Sequence, residues 1–176
     1  ELNKGFLNFM NLALSKYQND DEVFQISGHF FEPPILKINK AIFLPFISTW
    51  GWATWKSKWA GFNIEKEISL NGWGENLKKK FNLNDSYNYH YILKGVLKNK
   101  IQSWGVLWYF YVFQNEGLVL YPNKSLIVNK GFDKEATNTT KSSYSQKISK
   151  DLIEISFPNE VKVDPNIYKI VYKYIK

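Results

Sequence analysis

Apolar residues recur every three or four positions over residues 4–17, at Phe6, Phe9, Met10, Ala13, Leu14 and Tyr17, with Asn8, Asn11, Ser15 and Lys16 between them. That period predicts an amphipathic helix. Gln18-Asn19-Asp20-Asp21 breaks it, and Val23-Phe24-Gln25-Ile26-Ser27 reads as a short strand ending at Gly28. A second apolar strand is expected over 41–45. A helix opening near Asn71 and ending at about Phe81, a loop over 82–86 and a further helix over 87–98 follow, the last with Tyr91, Leu93, Val96 and Leu97 as its apolar members. Residues 104–113 are apolar at nearly every position, so period alone does not separate helix from buried strand. The ten-residue length and the stop Gln114-Asn115-Glu116-Gly117 favour helix. Strands over 118–121 and 125–129 flank the turn Pro122-Asn123-Lys124. Residues 134–147 read as a polar, mobile surface loop. Ile153, Ile155 and Phe157 alternate as in a strand, and Asp164-Pro165 starts a closing helix that should bury Ile167, Ile170, Val171 and Tyr174. Helices interleaved with strands predict a layered α/β domain, and the lack of an internal repeat argues against a solenoid.

Composition narrows the picture. The 176 residues, 44% hydrophobic and 18% aromatic, suffice for one domain with a substantial core. No apolar run is long enough to cross a bilayer. Glu1 opens an amphipathic segment without an initiator Met or a secretory leader, which suggests a fragment of a longer protein. With no cysteine there are no disulfides, thiolate metal sites or cysteine nucleophile, and a reducing cytoplasm is compatible. The net charge of +7 permits attraction to nucleic acid, an anionic membrane or a diphosphate. Runs such as Lys78-Lys79-Lys80 also read as a solvated helix face. His29 and His90 lack the spacing of a zinc pair. His29, in a loop closed by Pro33-Pro34, is read either as a ligand contact at a strand end or as a hydrogen-bonded structural histidine. Tyr87, Tyr89 and His90 are read either as lining a pocket or as the edge of the core, with the edge favoured.

The densest chemical signal is Ser48-Thr49-Trp50-Gly51-Trp52-Ala53-Thr54-Trp55-Lys56-Ser57-Lys58-Trp59, which holds four of the seven tryptophans. Gly51 frees the backbone between Trp50 and Trp52, so the two rings can be presented side by side. If a helix begins near Trp52, Trp55 and Trp59 share one of its faces. Those two are equally readable as core. Trp50 and Trp52, with Ser48 and Thr49 before them, suit a ligand wall facing a polyol.

The ordered succession of the opening helix, Val23 to Gly28, Phe43 to Trp59, Lys100-Ile101-Gln102-Ser103-Trp104 to Trp108-Tyr109, Leu120-Tyr121-Pro122-Asn123-Lys124-Ser125-Leu126 and Gly131-Phe132-Asp133 resembles bacterial family 2 glycosyltransferases. The Trp-Gly-Trp-Ala-Thr-Trp run is its most specific element. The resemblance implies the C-terminal, acceptor-side half of a Rossmann-like GT-A fold, a mixed sheet flanked by helices. Residues 1–139 would be that part, and 140–176 a surface loop with a strand and helix packed on the same domain. It implies transfer of a sugar, with inversion, from a nucleoside-diphosphate donor to a glycan acceptor hydroxyl, with a divalent cation, Mn or Mg, on the diphosphate. Ser27, Gly28, Ser48, Thr49, Trp50, Gly51, Trp52, Trp55 and Trp104 would bind substrate. Members carry an acidic metal motif just before the opening helix, which would place it upstream of Glu1.

Two positions depart from the family pattern. Gln102 stands where relatives commonly have Asp, and an amide cannot accept a proton at neutral pH. Asp133 is then the candidate substitute, with the capping of a turn as its alternative role. Asn138 stands where relatives often have a His metal ligand, and its carbonyl oxygen is a weaker donor to transition metals. A carbohydrate-binding module without chemistry is the competing expectation. Because the lysines are scattered away from the tryptophans, no nucleic-acid partner is expected. The expected location is the cytoplasm, with association at the cytoplasmic membrane face left open, and an open sheet edge would invite pairing between copies.

Overall fold

The computed structural model describes residues 1–63, 68–129, 148 and 154–176. Among them the chain is α/β, with a four-stranded mixed sheet in the order β2-β4-β1-β3. The strands are β1 (Val23–Ser27), β2 (Ile42–Leu44), β3 (Trp52–Ala53) and β4 (Leu118–Tyr121). β1 lies parallel to β4, while β3 on β1 and β2 on β4 are antiparallel. The helices are α1 (Phe6–Lys16), α2 (Lys56–Ala60), α3 (Glu75–Phe81), α4 (Tyr89–Leu97), α5 (Trp104–Gln114) and α6 (Pro165–Ile175).

The sheet separates two apolar clusters. On one face α1 lays down Phe9, Met10 and Ala13 against Val23, Ile26, Phe43 and Leu120. On the other, α5 presents Val106, Leu107, Trp108, Tyr109, Phe110 and Val112, all buried, to Phe24, Leu44, Val119 and Tyr121. A helix apolar on every side must be covered all round. α3 and α4 help cover it, with Phe81 stacked on Tyr109 at 4.6 Å and the Tyr109 hydroxyl donating to the Phe81 carbonyl at 3.0 Å. α6 adds Val171 and Ile175 to the same cluster.

Several expectations are corrected, among them the helix expected to open near Asn71, which begins only at Glu75. Trp52 does not open a helix: it pairs in β3 opposite Ser27, and α2 begins only at Lys56. Residues 125–129 form no ladder strand; Ile127 bridges Leu2, because the neighbour available is the short segment before α1. In α6 the buried positions are Val171 and Ile175, while Ile167, Ile170 and Tyr174 are only partly buried. Residues 134–147 and Ile153 lie outside the described residues. Ser156 accepts a hydrogen bond from the Ala41 N–H at 2.8 Å, so the stretch carrying Ile155 and Phe157 runs beside β2 without joining the sheet as a strand.

Candidate functional site

A register shift between Val23 and Gln25 places two consecutive β1 residues, Phe24 and Gln25, against α5. Such an irregularity re-aims a side chain that strict alternation would send to the other face. Gln25 is fully buried and satisfied at both ends. Its Oε1 accepts from Trp108 Nε1 at 2.7 Å, and its Nε2 donates to the Ser48 carbonyl at 2.7 Å. The Ser48 backbone is thereby fixed to the sheet.

The next constraint is the approach of Gly28 to Gly51, whose carbonyl accepts the Gly28 N–H at 2.7 Å. Gly51 has φ +52°, a conformation that favours glycine, and a Cβ on Gly28 would lie 2.8 Å from that carbonyl and 2.3 Å from the Phe6 ring. Two strand ends are thus held side by side, carrying His29 to Phe31 on one and Ser48 to Trp50 on the other. His29 Nδ1 lies 3.1 Å from Ser48 Oγ. Its ring is met edgewise by Phe31 at 4.8 Å and Trp50 at 4.7 Å. Burial pushes its pKa down to about 4, so it is neutral at pH 7.

These residues form one wall of a cleft of about 300 Å³. Phe31, Trp50, Tyr87 and Tyr89 give it four rings, and His29, Ser48, Thr49 and Ser103 give it polar groups. Ile47, Ile92, Val106 and Ile175 are its apolar lining, with Gly105 beside Thr49. No Asp, Glu, Lys or Arg is among the described lining residues.

The cleft gathers Ser48, Thr49 and Trp50 from the expected set, and it disperses others. Ser27 is buried, its hydroxyl donating to the His29 carbonyl and accepting from the His29 N–H, while Gly28 and Gly51 form the turn behind the wall. Trp52 and Trp104 stack on each other at 5.9 Å, outside the cleft lining. Trp50 and Trp52 therefore do not make one platform. Trp55 and Trp59 do not share a face: Trp55 Nε1 donates to the Leu14 carbonyl of α1, and Trp59 packs on Trp52 and Trp108. Trp55 is extended at the N-cap of α2, which turns its ring away from the helical row. Gln102 is exposed, one residue before the lining Ser103. Asp133 and Asn138 lie outside the described residues.

Sequence reasoning favoured the core edge for Tyr87 and Tyr89 over the pocket they line, and missed Phe31, Ser103 and Gln25. A Gln in the middle of an otherwise apolar strand was the available signal for the last. His90 does sit at an edge, stacked on Trp73 at 5.6 Å, and burial and the nearby lysines lower its pKa. Among the described residues no group of three or more His, Asp and Glu side chains is placed to hold a metal ion. Nor is any described helix long and apolar enough to cross a membrane. Comparison with protein-family models, curated proteins and solved structures finds no match to the chain.

Proposed function

We propose that the cleft binds a neutral sugar as the acceptor of a glycosyl transfer, the chain being the acceptor-side part of a family 2, GT-A type glycosyltransferase. The observation that carries this reading is the lining: four rings and four uncharged polar groups around about 300 Å³. Aromatic faces suit the C–H faces of a pyranose, and the part-exposed Thr49 and Ser103 hydroxyls suit its hydroxyls. The described lining residues carry no charge to meet a diphosphate, which supports assigning the donor to residues beyond them. In the reaction, the acceptor oxygen bonds to the anomeric carbon as the bond to the diphosphate oxygen breaks, with inversion, and the hydroxyl proton passes to a carboxylate. Gln102 cannot take that proton. Asp133 is the residue proposed for it. Mn or Mg belongs to the same expectation as charge neutralisation on the leaving diphosphate, and none of the described residues is given a part in holding it. The expected setting is the cytoplasm, with association at the cytoplasmic face of the membrane as an alternative.

The lack of a carboxylate among the described lining residues favours a second reading, a carbohydrate-binding module without chemistry. One experiment separates them. The chain, alone and joined to its natural upstream sequence, is assayed for glycan binding and for transfer from a panel of nucleotide sugars with Mn or Mg. Saccharide binding lost in Trp50→Ala, together with turnover of one donor, supports the transferase. Binding without turnover of any donor selects the module, and no saccharide binding at all overturns both.

A further inference from the structure

Trp104 occupies the position between Ser103 and Gly105, both of which line the cleft, yet its own ring is outside and 46% exposed. Its stacking partner is Trp52, at 5.9 Å and 29°. Trp52 in turn meets Trp59 at 5.9 Å, and Trp59 is 43% exposed. Three indoles thus form a row that begins at the cleft rim and runs outward over α2, anchored beneath by the sealed Trp108. Core packing accounts for Trp108, which is fully buried and hydrogen-bonded. It does not account for Trp104, which is covered on one face and spends nearly half its surface in water; a contiguous exposed aromatic patch is a sign of binding.

We propose that Trp104, with Trp52 and Trp59, forms a second sugar subsite continuous with the cleft, so that the acceptor is an oligosaccharide whose next unit lies on the indole row. This rests on the saccharide reading of the cleft. Its occupant follows from continuity: a chain leaving the cleft past Ser103 meets Trp104 next, and flat uncharged rings suit a further pyranose.

The test measures dissociation constants of the whole chain for matched probes, N-acetylglucosamine against chitotriose and glucose against cellotriose, in wild type, Trp104→Ala, Trp104→Tyr and Trp50→Ala. The expected result is that the trisaccharide binds about tenfold tighter than its monosaccharide in wild type, the order of one ring-stacking contact. Trp104→Ala should abolish that ratio, the trisaccharide losing far more affinity than the monosaccharide, and Trp104→Tyr should restore most of it. Trp50→Ala should weaken both probes. If saccharides bind but the ratio is absent or indifferent to Trp104→Ala, the second subsite is overturned and the cleft reading stands. If Trp104→Ala instead changes the sedimentation coefficient without altering affinity, the row joins copies of the chain and the subsite is again overturned. If neither monosaccharide nor trisaccharide binds, the cleft reading and the subsite fall together.

Discussion

Trp108 and Gln25, 83 positions apart in the chain, are joined by an indole N–H donating to an amide oxygen at 2.7 Å, and both side chains are sealed from water. Because the other end of that amide holds the Ser48 carbonyl, the pair ties the aromatic interior of α5 to the cleft wall. Replacing Gln25 by Leu keeps the volume but strands a buried donor and a buried acceptor, at about 1–3 kcal/mol for each unsatisfied group. The expected outcome is a fall of that order in urea-unfolding free energy. A double-mutant cycle with Trp108→Phe should show coupling of about 1 kcal/mol, since the two residues share one network. Purely additive losses would show that the bond is not made in solution.

Gly28 offers a test of the close approach to Gly51. Gly28→Ala drives a Cβ to 2.8 Å from a backbone carbonyl, which cannot swing aside as a side chain can. A loss of about 1–3 kcal/mol is expected from overpacking. Gly61→Ala is the control: there the nearest atom is the far end of the Tyr111 side chain, so thermal unfolding should shift less. Equal losses in the two variants would mean that the Gly28 turn is loose enough to take a Cβ.

The parts legible in the sequence are those written in local period. α1 and α4 follow from apolar spacing, α6 from its Asp-Pro start and apolar positions, and α5 from its length and its polar stop, while the helix expected to open near Asn71 begins only at Glu75. β1, β2 and β4 are short apolar runs between breakers, and they are where the sequence places them. Pairing is another matter. Nothing local says that Val23–Ser27 lies parallel to Leu118–Tyr121, nor that Trp52 would leave its neighbours to cap the sheet at β3. The same limit applies to the site. Ser48, Thr49 and Trp50 were visible as a polar step into an aromatic run, whereas Tyr87, Tyr89, Ser103 and Ile175 reach the cleft only because α4, α5 and α6 pack around one core. The separation of Trp50 from Trp52 depends on the φ of +52° at Gly51, which composition does not encode.

Asp164 carries a prediction about that last element. Its Oδ1 accepts from the Asn166 N–H at 2.8 Å and the Ile167 N–H at 3.1 Å, capping α6 in front of Pro165. Asp164→Ala should cost about 1 kcal/mol, the ordinary cost of losing an N-cap, and Asp164→Ser should recover most of it. Because α6 delivers Ile175 to the cleft, the alanine variant should also show earlier amide exchange at its C-terminal turn, by hydrogen-exchange mass spectrometry. Unchanged exchange would detach the cap from the order of the cleft.

His29 gives the protein a pH dependence whose sign follows from its burial. Its pKa is lowered from 6.5 to about 4 by desolvation, between Ser48, Phe31 and Trp50, none of them charged. Above pH 6.5 the ring is neutral in folded and unfolded chains alike and contributes no slope. Between 6.5 and about 4 the unfolded chain holds a proton that the folded chain does not, so stability falls as the pH falls through this window. Below about 4 both states are protonated and the slope vanishes again. The loss across the window is on the order of 3 kcal/mol. His29→Asn can keep a hydrogen-bonding atom near Ser48 Oγ and has nothing to titrate there. Unfolding free energies measured from pH 7 to pH 4 should therefore decline more steeply in wild type than in the variant. The carboxylates that also titrate near pH 4 cancel in the difference. Parallel slopes would mean that the imidazole is exposed or charged in the folded chain, and the neutral character of the cleft would go with it.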